Sequence, residues 1–238
     1  MNISQIQSLI RKKASPEKAA ILQRFFKTGK GQYGEGDIFV GVTVPELRKI
    51  AKLAQNSSLI EVKKLLAGKV HEDRLVALEI LVFKLEAATK IKDKRNQKIL
   101  FNFYIKNRKH INNWDLVDLS APYIASPYLL EKNKNLLYKF AHSKNIWDRR
   151  ISIISTYDFI RHNEFQDTLR ISKILLKDEH DLIQKAVGWM LREVGKRDEK
   201  VLKNFLQKNY KKMPRTMLRY SIEKFSASQR QKYLLGKM

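Results

Sequence analysis

The chain has 238 residues, 43% of them hydrophobic, enough to bury a sizeable core and to exclude a disordered basic tail as the main reading. Its 48 Lys and Arg against 24 Asp and Glu give a formal charge of +24, an excess that repels itself in a compact state unless a polyanion such as nucleic acid offsets it. The absence of Cys excludes disulfides, Cys-ligated zinc and iron–sulfur clusters, and the five His (His71, His110, His142, His162, His180) form no H-x-x-x-H or H-E-x-x-H pair, so neither metal nor cofactor is expected.

In chain order, the opening MNISQIQSLIRKKASPEK has no continuous apolar stretch of the secretory kind, and no later run approaches membrane-spanning length. A cytoplasmic, nucleoid-associated location is expected. Ser15-Pro16 reads as a helix start. Five of the nine Gly fall between residues 28 and 42, in a segment that contains TGKGQYGEGD. That segment lacks G-x-x-x-x-G-K-[ST] and the strand that precedes a phosphate loop. It reads as a turn after the second helix, where glycine lets a partner's backbone approach closely. Thr43-Val-Pro-Glu46 has the spacing of a capping box and opens a helix over 43–55. Leu75, Leu78, Ile80, Leu81 and Val82 predict a mostly buried helix, and Leu136, Leu137 and Phe140 an apolar stripe. Ser126-Pro127 reads as another helix start. No stretch alternates with period two, so the class is all-α without a substantial sheet.

Five segments resemble one another: HEDRLVALEIL (71–81), NNWDLVDLSAPYI (112–124), WDRRISIISTYDFI (147–160), IQKAVGWMLREV (183–194) and PRTMLRYSIEKF (214–225). Anchored on Arg74, Asn113, Arg149, Lys185 and Arg215, their spacings are 39, 36, 36 and 30 residues. Such intervals suit antiparallel helix pairs of the HEAT type, each long helix after a shorter Leu-rich one, stacked into a curved solenoid. An irregular helical bundle is the alternative. Arg74, Arg149, Arg150, Lys185 and Arg215 lie near the starts of four of these helices, where a solenoid would gather them into a basic face for phosphates. A Lys-rich surface of purely compositional origin is the plainer account of the charge.

Three places could carry chemistry. Trp114 and Asp118 are four residues apart and share one helix face. Asp118 would face a cationic species beside an apolar Trp114 wall, or the pair is simply a core Trp with a surface Asp. In Trp147-Asp-Arg-Arg150, Arg150 could reach a phosphate, or the motif is an ordinary repeat helix. Gly188, beside Trp189 in a helix interior, costs about 1 kcal/mol against Ala and implies close approach of a neighbouring helix or a ligand.

FFKTGKGQYGEGDIFVGVTVPELRKIAK (25–52), NNWDLVDLSAPYI (112–124), HSKNIWDRRISII (142–154), IQKAVGWMLREVGK (183–196) and MPRTMLRYSIEKF (213–225) together resemble the AlkD family of DNA alkylation-repair glycosylases, in order and over nearly the whole chain. The resemblance implies one HEAT-like DNA-binding and glycosylase domain over 1–238. It implies a monomer that excises positively charged N3- and N7-alkylated purines from double-stranded DNA without metal, cofactor or membrane. The family's catalytic aspartate falls on Asp118, its active-site tryptophans on Trp114 and Trp189, and its arginine on Arg150, with Arg149 the alternative. Its aromatic near the end of the second helix falls on Phe25 or Phe26, and its opposite-strand contact on Thr43. Phe26, Lys27, Thr43, Arg74, Arg149, Lys185, Arg192, Arg215 and Arg219 are the expected DNA contacts. A non-catalytic DNA-structure binder and a scaffold for an acidic protein are the rival functions.

Overall fold

The computed structural model describes every residue from Met1 to Met238. The chain forms two compact units, Met1–Ser120 and Ala121–Met238. Both are helical, and the one β contact is an isolated parallel bridge between Ile38 and Val70.

The first unit contains α1 (Ile3–Arg11), α2 (Pro16–Phe25), α3 (Val44–Leu53), α4 (Leu59–Leu66), α5 (His71–Lys90), α6 (Lys94–Asn107) and α7 (Trp114–Asp118). Ser15 caps α2 by accepting from the Lys18 N–H, with Pro16 at the first helical position, as the sequence implies. The capping box at Thr43 does not form. Thr43 is the N-cap of α3 but its hydroxyl makes no cap hydrogen bond. The Glu46 carboxylate instead turns to surface cations, Lys49 at 2.7 Å and Lys13 at 3.7 Å.

Helix α5 is the axis of this unit and packs against α3, α4 and α6. Every residue from His71 to Val82 is buried, so the predicted buried helix is enclosed on all sides, and beyond its polar start the one charged residue, Glu79, pairs with Arg48. That start, His71-Glu72-Asp73-Arg74, ties three separate segments to α5. His71 reaches Asp37 and Asp115. Glu72 accepts from the backbone N–H groups of Val40, Gly41 and Val42 at 2.8–3.3 Å. Asp73 accepts both Arg11 guanidinium nitrogens and the Gln7 amide. Arg74 pairs with Asp37 and donates to Asn112. Buried charges survive only when partnered, and breaking such a pair costs about 3–5 kcal/mol, so these links fix where the loops and α7 sit.

The second unit contains α8 (Ala121–Leu129), α9 (Asn135–Ala141), α10 (Ile146–Ile154), α11 (Tyr157–Arg161), α12 (Gln166–Ile174), α13 (Asp181–Arg197), α14 (Glu199–Asn209), α15 (Arg215–Ser221) and α16 (Ala227–Leu234). Ser126-Pro127 does not start a helix here. Pro127 lies inside α8, and the buried Ser126 hydroxyl accepts from the Asp158 N–H at 2.7 Å, near the start of α11. A short helix precedes a longer one in α4–α5, α9–α10 and α12–α13, as expected. The order reverses where the 14-residue α6 precedes the five-residue α7, and where the 11-residue α14 precedes the seven-residue α15.

Helices α13 and α15 make the most intimate helix contact of the unit. A Cβ on Gly188 would lie 2.5 Å from Tyr220 Cβ and 2.7 Å from the Met217 carbonyl oxygen. The neighbouring helix therefore accounts for this glycine, and no ligand is needed to explain it.

Candidate functional site

In the first unit the site is built around α7. Five residues cannot sustain a helix alone, so its orientation is imposed by its surroundings. Asn113, fully buried, caps it: its Oδ1 accepts from the Trp114 N–H at 2.8 Å and its Nδ2 donates to Asp37 Oδ2 at 2.8 Å. Asp115 accepts from the Leu116 N–H at 2.8 Å and contacts His71 Nε2 at 2.8 Å. The same His71 ring meets Asp37 Oδ2 through Nδ1 at 2.9 Å. Gly34 fits beneath this cluster because a Cβ would press on the Phe26 carbonyl oxygen at 2.4 Å, with the Asn113 amide 3.5 Å away.

Above the polar cluster lies an aromatic stack. Phe39 stacks on His71 at 4.2 Å, Phe26 on Phe39 at 4.8 Å, and Trp114 on Phe26 at 5.1 Å. Trp114 and Asp118 are both half-buried, at opposite ends of α7 and on one face of it. The charge of Asp118 is felt in the core. Burial chiefly, and the Asp118 carboxylate in addition, raise the Tyr104 phenol, against the opposing effect of its hydrogen bond to Ser120.

The alternative between Phe25 and Phe26 divides by exposure. Phe26 is in the core stack, whereas Phe25 is 61% exposed and meets Trp114 edge-on at 6.0 Å. Both line an apolar cavity of about 350 Å³ with Ile21, Val42, Val44 and Leu47. Thr43 lines it too, its hydroxyl unused by the α3 cap. Lys27 is exposed, with a left-handed backbone (φ 51°), at the head of the glycine-rich loop.

The expected phosphate-facing role does not fit Arg74. It is 6% exposed, pairs with Asp37, and donates to Asn112 Oδ1 at 2.5 Å. Burial pulls its guanidinium down to about 10, partly offset by Asp115, so it stays charged and acts as an internal cation. The reason is its position at the start of a helix that is buried all round.

In the second unit, the repeat-start arginines also turn inward. Arg149 donates to Asp178 at 2.6 Å and to the Ser143 and Lys144 carbonyls at 3.0 Å. Arg150 is 4% exposed and donates to the Leu182 carbonyl, tying α10 to the first turn of α13. Lys185 pairs with Asp181 at 2.7 Å. Arg192 pairs with Glu223. Arg215 is exposed and donates to the Leu234 carbonyl at 2.8 Å. Arg219, also exposed, lines a polar surface cavity with Lys185, Thr216 and Arg230. Trp189 is half-buried. Its indole N–H donates to Glu193 Oε1 at 3.1 Å, and Tyr157 lies 6.2 Å from its ring.

Sequence reasoning does not single out Asp37 or Asp115, nor the roles of Asn113 and His71. The available signal is four successive polar residues opening an otherwise apolar helix, which the repeat pattern absorbs without explaining.

No helix of the chain is long and apolar enough to cross a membrane. No curated protein matches the chain. A solved structure described as a predicted DNA alkylation repair enzyme from Enterococcus faecalis is similar over 90% of this chain and 98% of that one, with a TM-score of 0.68 and 16% identity. That likeness concerns the fold. The sequence model of a family described as DNA alkylation repair enzyme matches residues 6–225, nearly the whole length, and the chain belongs to that family.

Proposed function

We propose that the chain is a monofunctional DNA glycosylase that hydrolyses the N-glycosidic bond of N3- and N7-alkylated purines in duplex DNA. The observation that carries this reading is the pairing of Trp114 and Asp118 on one face of α7, half-buried, in a chain of charge +24 from the alkylation-repair family.

The chemistry follows from the substrate. A purine alkylated at N3 or N7 is already cationic and leaves without protonation, so no general acid is needed. The C1′–N bond breaks with its electron pair going to the base, and positive charge grows on the deoxyribose. Asp118 stabilises that charge and orients the attacking water, whose oxygen bonds to C1′ and whose proton is released. The Trp114 face excludes bulk water and attracts the cation, which strengthens the carboxylate's effect. Trp189 of the second unit enters the proposal through the family resemblance, as a second aromatic wall; Arg150, buried against the Leu182 carbonyl, is left out of the phosphate contacts. We further propose that the two units serve as one DNA-binding domain and that the chain acts as a monomer. Lys27, Thr43, Lys185, Arg215 and Arg219 are its proposed backbone contacts.

The test is base release from a duplex carrying one 7-methylguanine, read by chromatography for the wild type and for Asp118→Asn. Release by the wild type, lowered roughly 10²-fold or more in the variant with duplex binding retained, supports the reading. Full activity in the variant removes Asp118 from the chemistry. Salt-sensitive duplex binding without release by either protein supports the non-catalytic binder instead.

A further inference from the structure

We propose that His71 is a positioning residue for the reaction: its ring, held between Asp37 and Asp115, sets the orientation of the short helix that carries Trp114 and Asp118. This rests on the glycosylase reading for its consequence in rate, though not for its consequence in structure.

The hydrogen-bond roles lead to this inference. A carboxylate can only accept, and each His71 nitrogen faces one, Nδ1 at 2.9 Å from Asp37 and Nε2 at 2.8 Å from Asp115. Both ring nitrogens are therefore engaged, one by each carboxyl group. His71 is 1% exposed, and Asp37 and Asp115 are also buried, so the loss of a partner is costly. Arg74 adds a second tie to the cluster by pairing with Asp37.

The bridge bears on function through its geometry. Asp115 is the second residue of α7, its side chain bonds that helix directly to α5, and it lies between Trp114 and Asp118 in sequence. Asp37 also holds Asn113, the cap of α7, so both grips on the helix pass through carboxylates that His71 joins. The other face of the imidazole belongs to the aromatic stack that ends on Trp114. Removing the bridge releases Asp115 and one side of the stack together. The helix keeps its cap but loses its lateral tie, and Asp118 at its far end takes the largest swing. Asp73, two residues on, is equally buried, yet it holds α1 and not α7, which makes it the matched control.

The experiment compares His71→Gln with Asp73→Asn. Single-turnover release of 7-methylguanine, duplex affinity and thermal midpoint are measured for each. Should His71→Gln not fold, Asp115→Asn takes its place, since it retains an acceptor for the Leu116 N–H and loses only the charge. The expected result is a drop of about tenfold or more in single-turnover rate for His71→Gln, with duplex affinity within about twofold of wild type, a tenfold change corresponding to about 1.4 kcal/mol of transition-state stabilisation. Asp73→Asn lowers the thermal midpoint and leaves the rate of the folded protein unchanged. An unchanged rate in His71→Gln, or an equal drop in both variants, overturns the inference.

A second readout is independent of activity. In a background with Trp147→Phe and Trp189→Phe, Trp114 is the sole emitter. Its fluorescence should shift to the red and become more accessible to acrylamide in His71→Gln and not in Asp73→Asn. If the wild type releases no base, the glycosylase reading fails and this emission decides: a shift confined to His71→Gln upholds the positioning role, and no shift overturns it.

Discussion

The ring of Phe26 stacks on the indole of Trp114, with centroids 5.1 Å apart and planes 16° from parallel. One face of the indole is thereby filled from within the protein. Only the opposite face and the edges can meet a substrate, so Trp114 is a wall backed by the core and not a free side chain.

The two adjacent phenylalanines should separate by phenotype. Phe26→Ala removes a buried ring from the stack and should destabilise the protein by about 3–5 kcal/mol in urea denaturation. Phe25→Ala removes a ring that is mostly in solvent and should change stability by no more than about 0.5 kcal/mol, while weakening duplex affinity. Equal losses of stability would contradict the assignment of Phe26 to the core and Phe25 to the surface.

At the α13–α15 contact, Gly188→Ala forces a methyl group against the Tyr220 side chain and the Met217 carbonyl. Overpacking of this kind costs about 1–3 kcal/mol. For a chain of this size the thermal midpoint should fall by about 2–4 °C per kcal/mol. A variant as stable as wild type would mean that the two helices part without cost.

Surface and internal cations should differ in salt dependence. Replacing Lys185 or Arg219 by Ala should weaken duplex binding and reduce the magnitude of the slope of log K against log salt by about 0.9 for each phosphate that is no longer neutralised. Arg149→Ala should leave that slope unchanged and lower stability, because its guanidinium is engaged by Asp178 and two carbonyls. A flattened slope in Arg149→Ala would restore it to the DNA-facing set.

His180 links stability to pH. Its Nδ1 accepts the Leu182 N–H at 3.2 Å at the start of α13, a role only the neutral ring can play. Burial lowers its affinity for a proton, with Asp178 opposing and Arg149 reinforcing the effect. Because the folded value lies below the unfolded one, the contribution is complete above the unfolded value of about 6.5 and is lost as pH falls through the folded value. His180→Asn keeps a cap acceptor without titrating. It should flatten the stability profile between about pH 7 and 5 in denaturation experiments. An unaltered slope would place the acid sensitivity elsewhere.

Much of this protein is readable before folding is considered. The period of apolar residues marks the buried α5, Ser15-Pro16 marks the start of α2, and the four-residue spacing of Trp114 and Asp118 places them on one face. These are properties of a helix with its near neighbours, and 3.6-residue periodicity transmits them directly. The Glu46 half of the capping box at Thr43 is lost to Lys49 and Lys13, and Lys13 comes from a distant segment. Ser126-Pro127 fails because the serine hydroxyl serves α11, 32 residues on.

The chain's charge, its all-helical class and its family follow from residue types and local order alone. What α7 presents, and which arginines face inward, depends on the folded core. Asp37 and Asp115 lie 34 and 44 residues from His71, and the three meet because buried polar groups must find partners inside the protein. In an unfolded chain every one of these groups is satisfied by water, so nothing in the local sequence records the match that tertiary packing imposes.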